Sequence, residues 1–226
     1  MKAKFVITKN VKNFITTITN LQNRAEGVPG MALIYGEPGL GKTQAALWWS
    51  ANNDAIFVSA KQSMSVRWLL EDIVKELNET PLFRSSDLFE QIVQELIKRP
   101  RILIVDEIDY LATDKCTIEM LRDIHDRTYN PIVLIGMSMA DKKLKRYKPL
   151  YDRFSEILHF EPFSFENIEF LISELSETKI NSELIKNIYQ TGNRFRQIVK
   201  LINKAETIAK ANDLTEIELK ELRKYL

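Results

Sequence analysis

The octapeptide Gly36-Glu37-Pro38-Gly39-Leu40-Gly41-Lys42-Thr43 lies between an apolar run at 31–35 and the helix-forming stretch QAALWWSA. It fits G-x-x-x-x-G-K-[ST] at every fixed position. A glycine-rich turn from a buried strand into a helix defines the first βα unit of a sheet. The glycines let successive N–H groups curl around phosphate oxygens, and the helix from Lys42 points its positive end at the same charge. Lys42 is expected to reach the β- and γ-phosphates of ATP, and Thr43 to hold Mg²⁺. The bland alternative, a glycine-rich turn with no ligand, does not require this strand-and-helix context.

The rest of the chain continues that opening. Short apolar runs recur at 55–59, 101–106, 131–136 and 157–160. Helical periodicity separates them at 43–51, 65–77, 86–98 and 117–129. Unbroken apolar strands joined by helical crossovers predict an α/β fold with a parallel sheet covered on both faces. After Pro162 the pattern is helical, at 166–176, 182–190, 194–211 and 216–225, with Thr215 as a candidate cap for the last stretch. The expected organisation is a P-loop α/β nucleotide-binding domain over 1–161, with 1–25 as an N-terminal extension, then a small all-helical lid over 162–226. Serine or aspartate is expected to cap the helix of LFRSSDLFEQIVQELI.

Further candidate residues follow from this frame. RILIVDEIDY reads as a buried strand ending in two acids. Asp106 is placed to support Mg²⁺ through its water shell, and Glu107 to polarise an attacking water. The carboxyl edge of a parallel sheet is where such folds bind ligands. Ser138 lies just past the strand in PIVLIGMSM, where it can touch the γ-phosphate or its water; a turn serine is the alternative. Arg153, before the last short strand, can reach a neighbouring subunit's γ-phosphate in a ring or filament. Its alternative is a surface ion pair with Asp152 or Glu156. Arg196, or Arg194, begins a lid helix and can fold back onto the phosphates.

Taken together these features resemble an AAA+ ATPase, with Walker A at 36–43, Walker B at 102–107, Ser138 as sensor 1, Arg153 as arginine finger and Arg196 as sensor 2. ALIYGEPGLGKTQAALWW, LIVDEIDYL and VLIGMSM are similar to the MuB/TnsC/IstB-type ATPases of transposons and Mu-like phages. That resemblance implies a protein that oligomerises on DNA with ATP, selects or delivers target DNA to a transposase, and disassembles on hydrolysis. It also implies departures. MuB proteins carry an additional N-terminal DNA-binding region, and sensor 1 here is Ser where Asn or Thr is common. Helicase loaders and protein-binding signalling or defence NTPases share the same catalytic residues and remain alternatives.

Two segments are candidates for contacting duplex DNA. DKKLKRYK places Lys142, Lys143, Lys145, Arg146 and Lys148 within seven residues. At helical spacing Lys142, Lys145 and Arg146 share a face. In SAKQSMSVRW, Lys61, Ser63 and Arg67 lie on a loop that faces the pore in AAA+ assemblies. Solvated surface and an ordinary connector capped by Ser63 or Ser65 are the respective alternatives. The chain's formal net charge is only +1, so nucleic-acid contact must be local and directed at the backbone rather than the bases. A single cysteine, Cys116, excludes an internal disulfide. No apolar run approaches the roughly 18–20 residues of a membrane helix. The expectation is a soluble cytoplasmic protein without a metal site at its two distant histidines. At least one of Trp48 and Trp49 is expected in the core.

Overall fold

The fold is described from a computed structural model that covers residues 1–212 and 214–223. The apolar runs become the strands β1 (Met31–Gly36), β2 (Ile56–Ser59), β3 (Leu103–Asp106), β4 (Ile132–Gly136) and β5 (Phe154–Phe160). They form one sheet in the order β2-β3-β4-β1-β5, with every pairing parallel. Leu103 and Met31 both pair with Ile132, so the three central strands start level. β3 and β4 are buried throughout. That burial on both faces explains their unbroken apolar sequences. β5, at an edge, alternates in exposure and begins three residues earlier than its apolar run suggests.

Helices cover this sheet. They are α1 (Lys9–Gln22), α2 (Lys42–Asn53), α3 (Val66–Glu76), α4 (Ser85–Lys98), α5 (Lys115–Thr128), α6 (Ala140–Leu144) and α7 (Lys148–Tyr151). Leu69, Leu70, Ile73, Leu88, Ile92, Leu96, Leu121 and Ile124 of α3–α5 join Leu33, Val58, Leu103, Val105 and Leu134 of the sheet in one core cluster. Trp49 is 5% exposed. Ser65 caps α3 by accepting the Trp68 N–H. The expected cap of α4 is absent: Arg84 occupies that position without a side-chain hydrogen bond, and the serines begin the helix itself.

The chain divides into two compact units. One comprises Asn13–Gly36 and Lys42–Phe160 and holds the five-stranded sheet. The other gathers Met1–Lys12, Glu37–Gly41 and the chain from Glu161 onward. The first twelve residues thus lie with the C-terminal unit, not with the α/β domain of the sequence reading. Long-range contacts hold them there: the Lys2 N–H donates to the Leu175 carbonyl, and Val6 packs in a cluster with Phe163, Leu171, Ile198 and Ile202.

The second unit contains α8 (Phe165–Leu175), α9 (Ser182–Thr191), α10 (Phe195–Ala211) and α11 (Leu219–Arg223). Ser164 and Asn181 cap α8 and α9. Two short strands, β6 (Lys179–Ile180) and β7 (Glu216–Ile217), pair in parallel where only helices were expected. Thr215 therefore precedes a strand, and the last helix starts at Leu219. A two-residue ladder is too short to leave a period in sequence. The end of the expected helix at Tyr225 lies outside the described residues.

Candidate nucleotide-binding site

β1 ends at Gly36 and α2 begins at Lys42, so the octapeptide is the turn at the carboxyl edge of a central strand. Gly36 has φ +153°, and a Cβ there would sit 2.6 Å from the Phe160 carbonyl oxygen. Only glycine lets β1 pass this close to β5. Gly39 and Gly41 also have positive φ, at +81° and +95°. Lys42 is 9% exposed, and its Nζ donates to the Gly36 carbonyl at 2.7 Å. Thr43 Oγ1 donates to Asp106 Oδ2 at 2.7 Å, which joins the start of α2 to the end of β3.

Asp106 is 3% exposed and also accepts the Glu107 N–H at 2.8 Å. Burial pushes its carboxyl above the usual range, while the Thr43 and Glu107 hydrogen bonds and the Lys42 charge pull it back. Glu107 follows in the left-handed region, with φ 55° and ψ 38°, ahead of a short 3₁₀ turn at Ile108–Tyr110. Such a conformation is uncommon for a residue with a Cβ and concentrates at functional turns. Its carboxyl is raised by burial first, then by the neighbouring Asp106 and Asp109. A carboxylate raised in this way is better matched to take a proton near neutral pH.

Ser138 is half-buried in the turn between β4 and α6. Beside it is a residue that the sequence reading passed over. Asp109 Oδ2 accepts the Met137 N–H at 2.5 Å, and Oδ1 accepts Lys143 Nζ at 3.0 Å. Nothing in the spelling DEID distinguishes this aspartate from a solvated turn residue. Arg153 makes a two-pronged ion pair with Asp126 of α5, at 3.0 Å and 2.9 Å. Asp152 and Glu156, the partners considered in sequence, are not the ones it takes. Its remaining hydrogen bond reaches the Pro149 carbonyl at 3.4 Å.

Within the second unit, Glu37 Oε2 pairs with Arg194 Nη2 at 3.3 Å, and the Arg196 N–H donates to the Gly39 carbonyl at 3.3 Å. Cβ atoms of Arg194 and Arg196 lie 3.7 Å and 3.6 Å from where a Cβ on Gly39 would stand. Both arginines therefore lie against residues 37–41; the guanidinium of Arg194 engages an acid of the loop, and Arg196 is exposed.

The candidate DNA residues lie on two segments, 61–67 and 142–146. Lys61 pairs with Asp72 at 2.9 Å and stacks 4.9 Å from the centre of the Trp68 ring. Arg67 pairs with Glu71 at 2.6 Å, bonds the Phe83 carbonyl and lies 5.5 Å from the Phe83 ring. Ser63 has φ 64° in the connecting turn. The run 142–148 is not one helix: α6 stops at Leu144, Lys145 is its C-terminal cap, and Tyr147 breaks the backbone before α7. Lys142, Lys145 and Arg146, the residues expected to share a face, all precede that break and all are exposed. Lys145 pairs with Asp141 at 2.7 Å, whereas Lys142 and Arg146 make no ion pair to another described residue.

The donor set suits a magnesium nucleotide. Thr43 hydroxyl and Asp106 carboxylate are hard oxygen donors, and Mg²⁺ accepts one or two such groups beside phosphate oxygens and water. Lys42 brings a buried positive charge next to Thr43. Among the described residues no helix is long and apolar enough to cross a membrane.

Comparisons with known proteins agree with this geometry. A "Potential ATP-binding protein" of Staphylococcus aureus is 31% identical over 142 residues, covering 58% of this chain and 49% of that protein. The "ATP-dependent target DNA activator B" of Escherichia phage Mu is 28% identical over 137 residues, covering 59% of this chain and 42% of that protein. The chain thus matches about half of these curated relatives' length or less. In fold it is similar to the Aeropyrum pernix ORC2 protein (TM-score 0.75, 17% identity, covering 98% of this chain and 67% of that one). It is also similar to domain III of the Thermotoga maritima replication initiation protein DnaA (TM-score 0.65, 18% identity, covering 98% and 93%). The family model described as AAA domain matches residues 25–144, more than half of the sequence. The chain therefore belongs to the AAA+ family of nucleotide-binding ATPases and is similar to its MuB-like group.

Proposed function

We propose that this chain is a Mg²⁺-dependent ATPase that assembles with further copies of itself on duplex DNA, selects or delivers that DNA to a transposase, and disassembles on hydrolysis. The observation that carries the ATPase part is the Thr43–Asp106 hydrogen bond at 2.7 Å, which holds the two Mg²⁺-supporting groups together at the end of β3. The DNA and transposase parts are supported by the printed name of the phage relatives, a target DNA activator.

In this reading the loop 36–43 wraps the phosphates with its amides, and Lys42 neutralises the β- and γ-phosphate charge. Bound Mg²⁺ supplies charge neutralisation and alignment of the phosphate oxygens. Asp106 holds its place from the water shell. Glu107 orients the attacking water and takes its proton. Ser138 contacts the γ-phosphate or that water, and Arg196, with Arg194 as its alternative, reads the phosphates from the start of α10. Arg153 acts on the site of a neighbouring copy. Its present partner Asp126 must release it for that role.

Electron microscopy and DNA binding with ATP test the assembly. The wild type is expected to form rings or filaments on duplex DNA that require ATP. Lys42→Ala should lose nucleotide binding and assembly together. Glu107→Gln should accumulate as an ATP-bound oligomer on DNA. Nucleotide-dependent DNA assembly retained by Lys42→Ala would refute the reading of the loop. Absence of any DNA effect on ATPase rate would move the chain toward a protein-binding NTPase.

A further inference from the structure

The basic run 142–148 contains one lysine that faces inward. Lys143 is half-exposed, but its Nζ donates to Asp109 Oδ1 at 3.0 Å. The Asp109 side chain is only 8% exposed. Its other oxygen accepts the Met137 N–H at 2.5 Å. Asp109 follows Glu107 by two residues, and Met137 precedes Ser138 by one. One carboxylate therefore spans the two turns that carry the proposed general base and the proposed γ-phosphate contact.

The fold is built around this carboxylate. A Cβ on Gly136 would lie 2.8 Å from Asp109 Oδ2, 2.4 Å from the Ala140 Cβ and 2.9 Å from Ile108 Cγ2. Glycine at the end of β4 thus lets the Asp109 turn approach the sensor turn closely. The Ala140 N–H then donates to the Met137 carbonyl at 2.9 Å, so α6 and its Lys143 start from the same fixed turn. A buried carboxylate needs charged or hydrogen-bonding partners, and the lysine and the amide supply both.

We propose that Asp109 is a positioning residue of the hydrolytic site and that Lys143 is its partner, so that this lysine serves the nucleotide site and not the DNA-binding surface. The assignment rests on the ATPase reading above and extends it. Asp109 sets the spacing between the Glu107 turn and Ser138, and Lys143 holds Asp109 in its inward orientation. The DNA role of the run then falls to Lys142 and Arg146, which are exposed and have no ion pair to another described residue.

The test uses the full chain, with steady-state ATP hydrolysis and binding of a labelled random-sequence duplex. Misplacing a reacting group by about 1 Å can cost about a hundredfold in rate. Asp109→Ala should therefore lower kcat by at least about tenfold while leaving KM for ATP within about twofold. Asp109→Asn keeps an oxygen acceptor for the Met137 N–H and should recover most of that loss. Lys143→Gln should lower kcat several-fold with duplex affinity within about twofold, since no phosphate contact is removed. Because Lys143 is half-exposed, this variant keeps the test open even where Asp109→Ala folds poorly. Lys142→Gln combined with Arg146→Gln should weaken duplex binding and flatten its salt dependence. The proposal is overturned if Lys143→Gln weakens duplex binding as much as that pair with kcat unchanged. It is equally overturned if Asp109→Ala and Asp109→Asn shift the melting temperature alike without altering kcat. Unchanged duplex binding in the Lys142/Arg146 variant would sink the DNA reading of the run alone, leaving the kcat effects to decide Asp109 and Lys143.

Discussion

His125 offers a stability prediction that is independent of any ligand. It lies on α5, 4% exposed, beside the residues that lead into β1 and β4. Its Nε2 accepts the Gly30 N–H at 3.1 Å, and its Nδ1 lies 2.8 Å from the Asn130 carbonyl. The first bond needs a lone pair and the second a proton, so the ring is held as the neutral Nδ1–H tautomer. Protonation would turn Nε2 into a second donor facing an N–H. Burial accordingly lowers the His125 pKa from its ordinary value of 6.5, against weaker opposing effects of the Asn130 carbonyl and Asp126.

The sign follows from linkage. Below about pH 6.5 the unfolded chain binds a proton that the folded chain refuses, so stability falls as pH falls. One such proton is worth about 1.4 kcal/mol per pH unit, which sets a ceiling of about 1.4 kcal/mol lost between about pH 7.5 and about pH 5.5. Urea unfolding of the wild type and His125→Gln across that range measures it. Asp106 and Glu107, whose carboxyls are raised, contribute with opposite sign but equally in both proteins. The wild-type advantage over His125→Gln should therefore shrink as the pH drops. A difference that stays constant with pH would refute the neutral, double-bonded assignment.

Three further outcomes are expected. Gly36→Ala forces a Cβ to within 2.6 Å of the Phe160 carbonyl, so it should cost about 1–3 kcal/mol and lower the melting temperature by several degrees, with loss of ATP binding. Arg153→Ala removes an ion pair whose side chains are 36% and 35% exposed, so unfolding should change by less than about 1 kcal/mol. If Arg153 acts across an interface, hydrolysis in the assembled state should nevertheless fall by about a thousandfold or more; an equal rate would leave it a salt-bridge residue. Duplex binding should weaken steeply with salt, with a log–log slope of about −0.9 per phosphate contacted, and show little dependence on sequence; a flat salt response would remove the backbone-contact reading.

Sequence alone determined the nucleotide loop and the sheet, because both are local. The loop is a fixed spacing of glycines, lysine and threonine, and each central strand is an unbroken apolar run between helical patterns. Asp106 and Glu107 were legible for the same reason: they end such a run. Tertiary structure decided everything that depends on which distant residues meet. The partner of Arg153 is Asp126, 27 residues earlier, and no spacing rule selects it over adjacent acids. Lys143 looked like one cation in a solvated run until the 3₁₀ turn after β3 brought Asp109 against it. The first twelve residues joined the C-terminal unit through contacts that span most of the chain, among them Val6 in its core, the Lys2 hydrogen bond to Leu175 and the Met1 ion pairs with Glu177 and Glu206. Local pattern reports which surfaces a segment must bury and which turn it can make. Only the packed fold fixes which charge each buried carboxylate or exposed guanidinium finds.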